Sequence, residues 1–540
     1  MMPQRKSVMD DEQATKFAER KPKTIETKPH HDGRTNNAAV IRLRAGALHE
    51  IVSEAEAALL ASGAPFYARS GDIVRPVIER VPAFHGRKTK MPRLKMVNVD
   101  NMRDHLSRAA QFEKWDKRAS KHIAVDPPPD VARTLLARDG EWSFPALTGV
   151  ITTPTLRPDG SILSAPGYDP ATGLLLLAPP PMPTIPERPS RQDALTAMRL
   201  LDALLDEFPF VSDADRAAAL STLMTPVLRG GMQAAPLHAA TAPEARTGKS
   251  YIFDLASTIA TGQIAPALAA GRTEEETEKR IGAALLKGQP IISIDNLNGD
   301  LGGDCLCQAV ERPLIEVRML GRSENRDIVN TFCIFGNGNN MRLIGDVTPR
   351  TVLCSLDAKM ERPELRQFRG NPVHTVLADR GRYVAAILIV ARAYQTANCP
   401  SLLALASFVD WARLVRSPLV WLDKADPWQT NEKVRADDPS RTILRVIVAA
   451  WRDVVGVKRP KTAGELKNIA LNSADKDMVF NKAISAVACV HGRSEIDPVR
   501  LGRWLSNNKG RIVNGLKICG EENAHSKQMT WFLELTPTEI

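Results

Sequence analysis

The sequence predicts an α/β fold built around a phosphate-binding loop, and three stretches predict it. Residues 236–241 (PLHAAT) read as a short buried strand. Residues 251–261 (YIFDLASTIAT) are apolar at helical spacing, with Gly262 as the stop. Between them, 241–250 (TAPEARTGKS) ends in the Gly248-Lys249-Ser250 of a nucleotide loop. A second apolar run, 290–296 (PIISIDN), ends in a carboxylate, and a third, 332–341 (FCIFGNGNNM), ends in asparagines. Strands alternating with helices and ending in polar residues collect those residues along one edge of a sheet.

Each element carries its own chemistry. In the pattern G-x-x-x-x-G-K-[ST] the loop amides and a helix N-terminus face the phosphates. Here Pro243 replaces the first glycine and Arg246 stands where many such loops carry another. Proline removes an N–H, and arginine resists the positive φ that glycine supplies, although its guanidinium suits phosphate. The expected ATP-binding segment is Pro243, Arg246, Thr247, Gly248, Lys249, Ser250 and Tyr251, with Lys249 on the β- and γ-phosphates. Ser250 and Asp295 are the expected Mg²⁺ ligands. Asn296 follows where many ATPases place a water-activating glutamate. Glu276 and Glu278, in 274–281 (EEETEKRI), are therefore candidates for that role, the alternative being a solvated helix face. Asn339 is the candidate γ-phosphate sensor, the alternative being a plain Asn-Gly turn. Arg350, which opens an apolar strand after 345–349 (GDVTP), is the candidate finger reaching a neighbouring subunit's nucleotide. Alternating runs at 314–320 and 328–335 flank 321–327 (GRSENRD). They predict a hairpin with Arg322 and Arg326 at a tip that contacts DNA phosphates, or else a solvated charged turn.

Length and composition set the frame. A chain of 540 residues holds about three domains. The net charge of +10 favours a polyanionic partner, most simply DNA. The longest apolar run, 383–393, is too short to span a bilayer and is interrupted by arginine, so no membrane association is expected. The N-terminus has no apolar leader, which points to a cytoplasmic location. The 7 cysteines form no C-x-x-C pair and read as reduced core residues.

The organisation follows from shifts in composition. Residues 1–37 are polar and read as a disordered tail. Residues 38–177 form an accessory α/β region that begins with an amphipathic helix over 43–62. A proline-rich linker covers 178–192. Residues 193–422 hold the nucleotide module and a helical extension, entered through helices over 193–208 and 213–228, the second capped by Ser212 or Asp213. A second linker is expected at 423–439, followed by a basic domain at 440–540. In that domain 499–508 reads as a helix, and 511–518 with 529–535 as a strand pair. Helices followed by a basic hairpin make a winged helix. Its candidate DNA contacts are Arg500, Arg503, Lys509, Arg511, Lys517 and Lys527. Contact with protein is the alternative use of such a domain.

With these motifs in place, the chain resembles the AAA+ replicative helicases of prophages, plasmids and integrative elements, related to superfamily 3 and MCM-like helicases. The resemblance rests on Asp295-Asn296, on RMLGRSE at 318–324, on NGNNM at 337–341, on GDVTPR at 345–350 and on ERPELRQF at 361–368. It covers about residues 150–370 and reaches upstream to DGSILSAPGYDPATG at 159–173. It implies an ATP- and Mg²⁺-dependent DNA helicase acting as a ring, a hexamer by family analogy, with a C-terminal winged helix. Pro349 departs from the family's paired arginines, and the loop at 243–246 departs from its glycines. Two rivals stay open. One is an origin-binding or assembly protein without turnover, and the other is an AAA+ loader or regulator of another protein. No zinc-ribbon cysteines or paired strand aspartates lie in 38–177, so no primer synthesis is expected.

Overall fold

The computed structural model describes residues 39–82, 88–271, 273–297, 300–318, 324–400, 402, 405, 407–437, 439–472, 478–489, 495–523 and 527–536. The expected tail at 1–37 and the candidate Arg322 lie outside them. The chain divides into two compact units, one of Met1–Ala64 with Val97–Ser143, the other of Pro65–Met96 with Phe144–Ile540. The accessory region expected over 38–177 is therefore split between the two.

The first unit holds β1 (Ala39–Leu43), α1 (Leu48–Ala61), α2 (Val99–Ala109), β2 (Ala110–Asp116), β3 (Lys121–Val125) and α3 (Pro129–Ala137). The helix expected from residue 43 starts later, because 39–43 pair in parallel with β2 and Gly46 turns the chain at φ 78°. Sheet order is β1-β2-β3. Ile41 and Phe112 lie opposite one another and are buried, as are Val52 and Leu59 of α1, Met102 and Leu106 of α2, and Leu135 of α3. Asn98 caps α2 by accepting the N–H of Asn101 at 2.8 Å.

In the second unit, Tyr67–Arg69, Asp72–Pro82 and Lys88–Met96 form an antiparallel sheet. Helices α4 (Arg191–Asp202) and α5 (Asp213–Leu228) follow, and Ser190 and Ser212 cap them through the N–H groups of Asp193 and Asp215. Next come β4 (Leu237–Ala242), α6 (Lys249–Thr261), β5 (Ala267–Ala269), α7 (Glu274–Leu286), β6 (Ile291–Asp295), α8 (Asp304–Glu311), β7 (Leu314–Arg318), β8 (Asn325–Val329), β9 (Cys333–Asn339) and β10 (Thr351–Ser355). Five of these strands form a parallel sheet of order β5-β6-β9-β4-β10. The first strand, β4, thus lies between the fourth and fifth of the set, so the loops after β4, β6 and β9 leave from one edge side by side. Phe335 of β9 stacks on Phe253 of α6 with ring centroids 4.8 Å apart, fixing the helix to the sheet centre. Helix α9 (Arg380–Thr396) buries its apolar run against the same core.

Three further expectations are corrected by the pairing of the strands and by buried side chains. The apolar run 328–335 is two strands, not one. Buried Arg229 donates to Phe332 O (2.9 Å) and Asn330 O (2.7 Å), and Asn330 donates to Ala309 O and Arg312 O. These bonds hold 330–332 as a corner, so β8 pairs antiparallel with β7 while β9 joins the parallel sheet. The second linker at 423–439 contains α10 (Thr430–Asp437), which is built into the module. Thr430 Oγ1 accepts the N–H of Leu353 at 3.1 Å, and buried Asn431 donates to Thr348 O and Thr351 O. In the C-terminal region, the single strand expected at 511–518 is broken by Asn514 (φ 51°) and Gly515 (φ 71°), the two-residue turn that such a pair favours.

That region comprises α11 (Pro439–Val454), β11 (Lys461–Thr462), α12 (Ala463–Leu471), α13 (Met478–Ala488), α14 (Pro498–Asn507), β12 (Ile512–Val513), β13 (Leu516–Glu522) and β14 (Met529–Leu535). Its antiparallel sheet runs β11-β14-β13-β12. Trp451, Phe480, Leu501, Leu505, Ile518 and Leu533 form a core of their own. Among the described residues, no helix is long and apolar enough to cross a membrane.

Candidate functional site

The chemistry gathers where β4, β6 and β9 end. After β4 the chain makes the loop, and Gly248 (φ 110°) turns it into α6. Arg246 takes φ 59°, the left-handed region in which glycine is at ease and arginine is strained. Arg246 thus takes the backbone conformation that a glycine would supply there. Thr247 is buried and donates its hydroxyl to Glu244 O at 2.7 Å, closing the loop across its base.

Lys249 is also buried. Its Nζ donates to Asn339 Oδ1 at 2.6 Å and to Glu244 O at 3.0 Å. Burial lowers the pKa of this ammonium, and the carboxylates of Asp295 and Glu244 oppose the fall. The residues expected from sequence as phosphate lysine and sensor asparagine are therefore in direct contact, although 90 positions separate them. Asn339 ends a strand and does not form the alternative Asn-Gly turn, because Gly338 lies in that strand. A Cβ at Gly338 would come within 2.0 Å of Leu297 O. The glycine lets the chain beyond Asp295 cross closely, turned there by Asn296 at φ 57°. Leu297 N–H then donates to Asn337 O at 2.9 Å.

The oxygens of Ser250 and Asp295 are of the hard type that suits Mg²⁺, which binds through one or two protein ligands plus phosphate. Ser250 is exposed in the first turn of α6, Asp295 ends β6, and Asp295 lies near enough to Lys249 to act on its charge. Among the described residues, no group of three or more His, Cys, Asp and Glu side chains forms a closed metal site.

Sequence reasoning missed three features. Asp254 lies one turn after Ser250 on α6. Burial pushes its carboxyl up to about 6, with the charge of Asp295 adding to the rise and the Ala265 N–H opposing it. The acid was hidden among apolar residues read only as a helix face, and its spacing from Ser250 was the available signal. Asn337, on the same side of β9 as Asn339, buries an amide nitrogen that has no partner among the described residues. Finally, a cavity of about 300 Å³ adjoins Arg246 and Gly248. Phe208, Tyr251, Arg366, Phe368 and Asn371 line it. Tyr251 Oη donates to Asn371 Oδ1 at 2.5 Å and accepts the N–H of Val373. The Arg366 guanidinium lies 5.1 Å over the Phe368 ring.

Several other candidates are engaged elsewhere, and the rest are exposed. Glu276 bonds Arg280 one turn on, and Glu278 is exposed on α7. Within this chain Arg350 pairs with Glu311 at 2.7 Å and bonds Asp346 O, while Ser407 holds the other oxygen of Glu311. Burial raises the Glu311 carboxyl, but Ser407 and Arg350 outweigh it and hold it below the usual range. Arg326 is not at a hairpin tip. It lies in β8 with 15% of its side chain exposed, 3.7 Å from Asp72 and 3.5 Å from Glu324. In the C-terminal region, Lys509 donates to Gly520 O, Arg500 to Cys489 O and Arg511 to Asn508 Oδ1, and Lys517 pairs with Glu534. Arg503 and Lys527 are exposed. Cys305 and Cys307 have thiols that burial pushes up to about 11.

No protein-family model matches the chain, and no curated protein matches it in sequence. Among solved structures, an apo form of the C-terminal region of NrS-1 is similar at 9% identity and a TM-score of 0.36, over 88% of this chain and 98% of that one. A second structure of that region, residues 305–718, gives a TM-score of 0.37 at 9% identity over the same shares. The JCV helicase is similar at 10% identity and a TM-score of 0.20, over 46% of this chain and 73% of that one. Likenesses this distant carry no argument about mechanism.

Proposed function

We propose that this chain is an ATP-dependent DNA helicase of the AAA+ kind that works as a ring of its own copies and carries a winged helix at its C-terminal end. The observation that carries the reading is the contact of Lys249 with Asn339 at 2.6 Å, on the edge of a parallel sheet whose first strand lies between its fourth and fifth. That strand order brings the loop, the Asp295 tip and the Asn339 tip into one row.

In this reading the amides of the loop and of the α6 N-terminus receive the phosphates. Lys249 leaves Glu244 O to meet them and keeps Asn339 as its neighbour. Asn339 orients the attacked phosphate and the attacking water. Ser250 and Asp295 hold Mg²⁺, which supplies charge neutralisation on the phosphate oxygens when bound. The cavity beside Gly248 receives the base and sugar. Arg350 serves a neighbouring copy's site after release from Glu311. The hairpin of β7 and β8, through Arg322, and the exposed Arg503 and Lys527 contact DNA.

Lys249→Ala is expected to abolish DNA-stimulated ATP hydrolysis by the purified chain, and hydrolysis at the unaltered rate would sink the reading. A second reading, nucleotide binding without turnover, is favoured by Pro243 and by the strained Arg246. Tight ATP binding with no phosphate release over hours would select it. ATP turnover without separation of a forked duplex would select a loader or regulator instead.

A further inference from the structure

The three-stranded sheet of the first unit has one face packed by helices and one face open. On the packed side, Ile41 and Phe112 are buried. The opposite side carries Val40, Arg42, Glu113, Trp115, His122 and Ala124, as the strand registers require. Trp115 is 50% exposed, and Val40 is 52% exposed. Trp115 lies directly across from His122, with ring centroids 5.2 Å apart and planes at 71°. Arg42 and Glu113 form an ion pair at 3.6 Å beside them and so cancel one another.

The charges around the ring pair do not cancel. The β2–β3 turn reads DKRASK over 116–121. Asp116 spends its carboxylate on the turn itself, where Oδ1 accepts the N–H groups of Arg118 (2.7 Å) and Ala119 (3.3 Å). Lys117 and Arg118 in the turn are exposed, while Lys114 and Lys121 are exposed on the side of the sheet that carries Phe112. Two exposed rings on an open face, next to the exposed cations Lys117 and Arg118 in the turn at its end, make a surface complementary to a chain of stackable bases and phosphates.

We propose that this sheet face binds a single-stranded polynucleotide. One base stacks on Trp115 with His122 at its edge, and the following phosphates run toward Lys117 and Arg118 in the adjoining turn. The face is a binding site separate from the nucleotide loop and does not depend on the helicase reading. Duplex is disfavoured, because its bases are already stacked and cannot reach Trp115.

The test uses the full chain without nucleotide. The probes are 20-nucleotide oligothymidylate, its ribose counterpart, and a duplex of equal length as competitor. Photocrosslinking with halogenated bases, read by peptide mass spectrometry, is expected to give adducts within residues 110–125. Trp115→Leu is expected to weaken single-strand binding on the order of tenfold, while Trp115→Phe keeps it within about twofold. Lys117→Ala with Arg118→Ala is expected to lower the slope of log affinity against log salt by about 0.7 for each phosphate no longer neutralised. A stronger effect on the deoxyribose or the ribose probe identifies the natural strand. Adducts confined to other residues, an unchanged affinity in Trp115→Leu, or equal competition by duplex would each overturn the proposal. The crosslink map on the unaltered chain decides the matter even where a variant folds poorly.

Discussion

The edge of the parallel sheet where β4, β6 and β9 end and the open face of the N-terminal sheet treat polar and charged residues in opposite ways. At the edge, a lysine, two asparagines and a carboxylate are buried or half-buried, and Lys249 and Asn339 bond each other directly. On the open face a tryptophan and a histidine are exposed, with Lys117 and Arg118 exposed in the turn beside them. Burial makes charge expensive unless it is paired, so the edge is a site of fixed geometry with shifted pKa values. Exposure leaves the charges of the second surface in water, where salt screens them. The first is suited to positioning reacting atoms, and the second to holding a flexible polyanion.

Four substitutions sharpen or break this contrast, from the largest effect to the smallest. Phe335→Ala removes the ring stacked on Phe253 beneath the loop. It should cost about 3–5 kcal/mol in chemical denaturation and weaken ATP binding with it. A loss under about 1 kcal/mol would mean that the sheet does not brace α6. On the proposed function, Asn339→Ala should lower kcat for ATP hydrolysis roughly a hundredfold with little change in ATP affinity, since the proposed role of Asn339 is in turnover. A pure affinity loss would reduce Asn339 to a tether for Lys249.

The third tests the buried acid. The Asp254 pKa is raised from 3.8 to about 6, so ionisation destabilises the folded chain as pH rises through that interval. Its favourable protonated state is fully present below about pH 4 and lost above about pH 6. Asp254→Asn should therefore stabilise the nucleotide-free chain at pH 8 by about 2–3 kcal/mol and leave it unchanged below pH 4. Equal effects at both pH values would show that packing dominates instead of charge. Trp115→Leu marks the other end of the comparison. Its effect on unfolding free energy should stay within about 0.5 kcal/mol, and ATP hydrolysis without DNA should not move.

Much of the edge was legible because its signals are local. Strand, loop and helix at 236–261, the Asp ending at 295 and the Asn ending at 339 each announce themselves within a few residues, and a parallel sheet aligns such endings. The engagements of Arg326, Arg350 and Lys517 were not legible. Asp72 and Glu311 lie far off in sequence and nothing at those positions marks them as partners, while Glu534 stands across from Lys517 only in the register that β13 and β14 adopt. Nor did any local signal separate the corner at 330–332 from a strand. Arg229, about a hundred residues away, forces it.

The sequence alone determined the alternation of elements, the loop with its missing glycines and the basic character of the chain, because apolar period and turn chemistry act over short stretches. Only the tertiary structure decided that Lys249 meets Asn339, that Asp254 is a perturbed acid, that 430–437 belongs to the module, and that one sheet face stays open with Trp115 on it. These depend on which distant surfaces exclude water together. Burial and pairing are properties of the assembled fold, and no window of sequence contains both partners.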